Sequence, residues 1–273
     1  MKKIFALSLI TVLILVSCAS AEVVGILGKL NVSEEQFRKD LKENFNNDVR
    51  TSFFTNEEMS KNREYRFYDS LMMMQLALAK GEIQSVSVPD CIADFMVESD
   101  NSYNIKGFIQ LRYPVVLAFG FTEKNALLHH MFNEALKSME NDGTLGKLIL
   151  KYVNTIGTTR PQTVSIPKID GAKSVKVALT GDLPPIDYVA EDGTPAGFNT
   201  AVLAEISRRL KINIEIIQVE AGSRASALIS GRADCSFWFE GYSKGSEITF
   251  DAPEGLIFSK PYYSWHKYFY VGK

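Results

Sequence analysis

Arg224 and the run Trp238-Phe239-Glu240-Gly241-Tyr242 are the residues of this chain best equipped for chemistry. A guanidinium offers a carboxylate two parallel N–H donors. Arg224 follows Glu220-Ala221-Gly222 at the start of a short helical segment, where it either supplies that fork or is simply solvated. Trp238, Phe239 and Tyr242 around Glu240 would make an aromatic floor for an apolar or cationic group, with Glu240 as counter-charge. The alternative is that Trp238 and Phe239 straddle a strand and one of them is core; at least one is expected to face a cleft. Lys29 and Asn31 precede a helix N-terminus, whose free N–H groups attract anions, although a Lys at a strand end is often only solvated. No Ser/His/Asp set, paired carboxylate spacing or metal-ligand motif is present, since His129 and His130 are adjacent on a helix and His266 stands alone. No metal or cofactor is expected.

These residues need a scaffold, and the composition provides for one. The chain has 273 residues, 46% hydrophobic and 23% charged, with mean hydropathy -0.03. That excludes disorder, collagen and a disulfide scaffold, and leaves one large domain or two lobes of roughly 100–150 residues. Lys and Arg number 30 against 32 Asp and Glu, so a protein built on phosphate contacts is excluded and no nucleic-acid partner is expected. Cys91 and Cys235 lie in apolar stretches; they either pair in an oxidising compartment or are two small buried residues, the reading preferred here.

From Val23 short apolar runs alternate with amphipathic segments, the pattern of α/β layers. Strands are expected at Val23 to Leu27, Tyr65 to Tyr68, Ile83 to Val88, Pro114 to Phe121, Val175 to Leu179, Ile212 to Val219, Ala233 to Phe239 and Tyr262 to Val271. Helices are expected after the capping box Ser33 to Gln36, then at Leu71 to Lys80 behind Asp69-Ser70, Ala126 to Met139, Leu145 to Val153, Ala201 to Leu210 and Ala225 to Ser230. Met72, Met73 and Met74 point around their helix and read as packing filler rather than a binding surface. Asn154 to Lys173, rich in Thr, Pro, Gly and Ser, reads as a linker.

The N-terminus reads as an export signal: Lys2 and Lys3, then an apolar run from Ile4 to Val16, too short to span a membrane. Its end, Leu15-Val16-Ser17-Cys18, resembles the bacterial lipobox, which implies lipidation of Cys18 as the mature N-terminus. A plain secretory signal cut after Ala19 or Ala21 is the alternative.

Four segments carry a resemblance to a known family: Lys176-Val177-Ala178-Leu179 leading to Pro184-Pro185, Gly197-Phe198-Asn199 before a helix, Ala227 to Asp234, and Phe258-Ser259-Lys260-Pro261-Tyr262-Tyr263. Together they resemble lobe one of the bacterial extracellular solute-binding proteins, the family of the amino-acid receptors of ABC transporters. Leu76 to Glu82 and Leu136 to Tyr152, with Asp142-Gly143-Thr144-Leu145, resemble its lobe two and the segment returning to lobe one. The resemblance implies a two-lobed α/β fold of the type II periplasmic binding proteins with a ligand cleft between lobes. The lobe order is reversed, as in a circular permutation, the alternative being a fragment of a tandem array. The expected organisation is a signal peptide over 1–17, a lipid-anchored tether over 18–22, lobe two over 23–113, the returning segment over 114–153, a linker over 154–173, and the main part of lobe one over 174–273.

Carried over residue by residue, the family pattern puts Ile186 and Tyr188 with Trp238, Phe239, Glu240 and Tyr242 on the lobe-one wall. Lys29, Asn31, Asp69 and Asp90 fall on the lobe-two wall. Two family anchors are missing: Gly241 to Gly255 contains no Arg for a ligand carboxylate, and Pro89 stands where an ammonium-binding Asp is usual, with Asp90 one step along. Arg224 is the replacement candidate for the first. The resemblance implies a monomeric, membrane-anchored, extracytoplasmic protein that captures a small solute, an amino acid or related polar or cationic compound, and presents it to an ABC transporter permease. A sensor without transport is one alternative. The other is a cleft enzyme of dehydratase or lytic type, using Glu240 as acid or base.

Overall fold

The structure, a computed structural model, describes residues 21–28, 63–155, 163–190, 192–244 and 247–273. The expectations for Cys18 and the export signal, for Lys29 and Asn31, and for the helix after Ser33 lie outside the described residues.

Local signals set the first elements. Strands β1 (Glu22–Leu27) and β2 (Arg63–Tyr68) pair in parallel, with Val24 opposite Tyr65. Helix α1 (Leu71–Ala79) starts where the Ser70 hydroxyl accepts the Met73 N–H at 3.2 Å, and its chain turns away at Gly81 with φ +75. Strand β3 (Ser85–Pro89) then pairs with β1 and leads directly into α2 (Asp90–Ser99). Of the three methionines only Met74 is packing filler. It is fully buried, whereas Met72 and Met73 are 70% and 53% exposed on the outer face of α1, because three consecutive residues cannot share one helix face.

Strand β4 (Asn104–Thr122) runs for 19 residues, far longer than the apolar stretch from Pro114 suggests. Helices α3 (Ala126–Asn141) and α4 (Thr144–Ile149) follow, and a single π-helical turn, Leu150–Asn154, closes this part of the chain. The chain resumes with β5 (Ser174–Leu179), the short strands β6 (Asp182–Leu183), β7 (Asp187–Val189) and β8 (Pro195–Ala196), and α5 (Phe198–Leu210). Then come β9 (Asn213–Gln218), α6 (Arg224–Ile229), β10 (Cys235–Lys244), β11 (Glu247–Phe250), β12 (Leu256–Phe258) and β13 (Tyr263–Gly272). Gly197, with φ +96, opens α5 where a side chain could not: a Cβ there would stand 2.6 Å from the Pro185 carbonyl oxygen.

The described strands form a main sheet in the order β2-β1-β3-β13-β4-β10-β5-β9, with β11 on β10 and β12 on β4, and a small sheet β6-β7-β8. One half of the main sheet is β2-β1-β3 with α1 and α2. The other is β10-β5-β9 with α5 and α6. Only β4 and β13 belong to both, pairing with each other from Tyr263 opposite Leu117 to Gly272 opposite Asn104.

That pairing shifts register twice, between Tyr270 and Val271 and, more widely, in the middle, where it stops at Trp265 opposite Val115 and resumes at Lys267 opposite Gln110. Leu111 to Pro114 stand there against His266 alone. Pro114 has no N–H to give a ladder, so the break falls where the backbone cannot pair. The Gln110 side-chain amide bridges it by donating to the His266 carbonyl at 3.2 Å.

Cys91 and Cys235 are buried and free, in agreement with the reading as small core residues. The end of the segment read as a linker packs onto the second half. Val164 and Ile166 pack against the core, and the Asn213 side chain both accepts the Ile169 N–H at 2.7 Å and donates to its carbonyl at 2.9 Å.

Candidate functional site

A cleft opens where the two halves face each other across the β4–β13 crossing. Leu27, Gly28 and Asp69 line it from the first half. From the second half come Asp182, Arg224, Trp238, Glu240 and Asp251. The cavity between them is about 20 Å³, room for roughly one water, so the halves meet closely.

Trp238 reaches the cleft through a β-bulge. Ser236 pairs with Gly120 and Phe239 with Ala118, so Phe237 and Trp238 together oppose Phe119 alone. Trp238 takes φ +65 at the bulge, a conformation that costs a bulky residue about 1–3 kcal/mol and persists only where its surroundings hold it. They do so here: the Trp238 indole stacks on Trp265, and its carbonyl accepts a hydrogen bond from Arg224 Nη1. Phe239 then points the other way. Its ring packs on Phe258 and covers Gly120, where a Cβ would come within 2.4 Å of it. One aromatic of the pair is therefore cleft wall and the other is core.

Arg224 is 5% exposed. Its Nε donates to the Ala221 carbonyl at 2.9 Å, and the plane sits 5.7 Å from the Phe239 ring centre. Burial lowers the guanidinium pKa from its usual range, while Glu240, Asp251, Asp187 and Asp182 raise it. Glu240 is also buried, next to Arg224 in the cleft wall, and its Oε2 accepts a bond from the Tyr268 hydroxyl at 3.4 Å. A buried guanidinium with carboxylates around an indole face can hold a group bearing both charges.

The other anticipated residues are dispersed. Ile186 is wholly buried, its carbonyl accepting the Asn199 N–H at 2.8 Å. The Tyr188 ring meets Phe95 of α2 with centres 6.2 Å apart, joining the two halves beside the cleft. Tyr242 is 42% exposed, paired with Val115 and Thr249. Asp69 lines the cleft. Asp90 opens α2 and accepts the Cys91 N–H at 2.8 Å; its pKa is raised by burial, which that bond opposes. Among the described residues no group of three His, Cys, Asp or Glu could hold a metal ion.

Asp182, which the sequence did not single out, and Asp187, which the family pattern places on the lobe-one wall between Ile186 and Tyr188, stand out here. Asp182 lines the cleft and accepts the Leu71 N–H from the opposite half at 2.9 Å. Asp187, wholly buried, accepts three bonds on Oδ2, from Thr180 N–H at 2.9 Å, Thr180 Oγ1 at 2.7 Å and Gly181 N–H at 3.1 Å. Burial raises its pKa to about 6 against those bonds. For Asp182 the only available signal was its place two residues before Pro184, and by itself that is weak.

Residues 175–273 match the model of the bacterial extracellular solute-binding proteins, family 3. The match covers 99 of the 273 residues, all in the second half of the chain. The matched segment takes in β5 to β13 and hence the whole second wall of the cleft, within a mixed α/β architecture. Family 3 is a family of extracellular binding proteins. Among the described residues no helix is long and apolar enough to cross a membrane. No curated protein matches the chain significantly.

Solved structures similar to this chain include the zinc-bound ligand-binding component of an ABC-type import system from Staphylococcus aureus, 10% identical with a TM-score of 0.42, where 92% of this chain covers 65% of that one. The aliphatic sulphonate binding protein SsuA from Escherichia coli is 12% identical with a TM-score of 0.40, over 92% of this chain and 64% of that one. A putative L-cystine ABC transporter from Listeria monocytogenes is 11% identical with a TM-score of 0.42, over 93% and 83%. The chain thus spans just under two thirds of the first two.

Proposed function

We propose that this protein captures a small solute outside the cytoplasm by closing its two halves about β4 and β13, and presents it to an ABC transporter permease. The cleft wall carries the reading: Arg224 is buried there beside carboxylates and the bulge-borne indole of Trp238. An amino acid or a related polar or cationic compound suits such a wall, its carboxylate on Arg224 and its cationic group between Glu240 and Trp238. Such a solute is several times larger than the cavity, so it enters only when the halves part, and the break at Leu111 to Pro114 is the natural place for that bend.

The same proposal includes a lipid on Cys18, a monomeric state, and a circularly permuted order with lobe two over 23–113, the returning segment over 114–153 and the main part of lobe one over 174–273. The sheet order supports the permutation: β13, from the family-3 segment, lies between β3 and β4 of the preceding part. The test is thermal unfolding of the protein against amino acids, polyamines, small peptides and organic acids, because a ligand at 100 times its Kd adds about 2.7 kcal/mol. A rise with amino acids or polyamines supports the reading; a response to organic acids alone overturns the cationic part, and no response to any class overturns the whole.

A further inference from the structure

We propose that Asp182 is a latch between the halves, completing the N-terminus of α1 from the opposite side of the cleft, and that Asp187 is its positioning residue. The first turn of α1 contains no acidic residue. Ser70 caps the Met73 N–H, and the Leu71 N–H is taken instead by Asp182 Oδ2 at 2.9 Å, from a residue 111 positions away. A helix N-terminus presents free donors and partial positive charge, so a carboxylate brought from the facing half satisfies both when the cleft is shut. Parted halves lose that bond and leave donor and acceptor to water.

The latch is aimed by its own half. Asp187 Oδ2 gathers three donors from Thr180 and Gly181, and the Gln218 side chain donates to the Thr180 carbonyl at 3.0 Å from the other side. Gly181, with φ +82, makes the turn, and a Cβ there would stand 2.8 Å from Gln218 Nε2. Asp182 follows at once, so its reach toward Leu71 is fixed by a turn clamped at both ends. Phe95 against Tyr188 is a second, apolar contact between the same two halves.

This inference rests on closure of the halves but on no particular solute. Amide hydrogen exchange of the full chain without added ligand tests it. Asp182→Ala is expected to speed exchange about tenfold both at Leu71 to Met73 and on the facing wall at Ala221 to Arg224. Asp182→Asn, which keeps an oxygen acceptor, is expected to restore most of the protection, and Asp187→Asn to give an intermediate rate at the same two sites. Leu71→Pro removes the donor from the other side at a helix position that accepts Pro, and is expected to reproduce the Asp182→Ala pattern on the Ala221 to Arg224 wall. Faster exchange confined to Leu71, or no change, would overturn the latch. Solute binding is read separately by thermal shift, so either idea can fail alone.

Discussion

Trp238 of β10 and Trp265 of β13 stack with ring centres 5.8 Å apart at 28°, although β4 lies between their strands. Both are nearly fully buried. The stack ties the cleft wall to one of the two strands that serve both halves. Trp238→Ala removes the ring and is expected to cost about 3–5 kcal/mol, the usual range for emptying a buried aromatic site, and to abolish solute capture. Urea unfolding and thermal shift measure the two effects; retained capture would remove Trp238 from the site.

Glu240 is the counter-charge assigned to a cationic group. Glu240→Gln keeps the shape and an acceptor for Tyr268 but loses the charge. It is expected to weaken a cationic solute by about 2 kcal/mol, close to 30-fold in Kd, and also to lower the melting temperature of the ligand-free protein, because buried Arg224 loses a compensating charge. Calorimetric titration decides, and equal affinities would return Glu240 to a structural role.

Asp187 gives a pH dependence with a definite sign. Its folded pKa is raised to about 6 from an ordinary 3.8, so the unfolded chain releases this proton first and stability contributed by the protonated form is lost as pH rises from about 4 to 6. Asp187→Asn carries no such proton. The stability of the wild type relative to this variant is expected to fall by about 3 kcal/mol over that window. Urea unfolding at pH 4, 5, 6 and 7 reads it, and parallel curves would contradict the raised pKa.

Gly120 and Phe239 share one space. Gly120→Ala forces a methyl against the ring at 2.4 Å and is expected to destabilise by about 1–3 kcal/mol, as overpacking does. Phe239→Leu in the same chain should recover part of that loss. Additive losses in the double variant would show that the two sites do not interact.

Cys18→Ser is expected to release the protein from membranes into the soluble fraction. Unchanged membrane partition in a cell fractionation would defeat the lipid anchor.

The sequence by itself determined the elements whose signals are local. Ser70 and Gly81 bound α1 because a cap and a left-handed turn act within a few residues, and the buried strand β5 and helix α5 follow from apolar runs and spacing alone. Arg224 and Glu240 were legible as chemistry because charged groups are costly to bury without a partner, and Trp238 because an indole offers a cation its π face.

Tertiary structure alone decided the rest. The first half of β4, where Lys106 and Arg112 interrupt the apolar pattern, is a strand because β13 pairs with it. That Trp238 faces the cleft while Phe239 is core depends on a bulge against β4, which no spacing within β10 specifies. Asp182 acquires its role from a backbone donor 111 residues earlier in the chain, and a hydrogen bond across a cleft leaves no periodicity to be read.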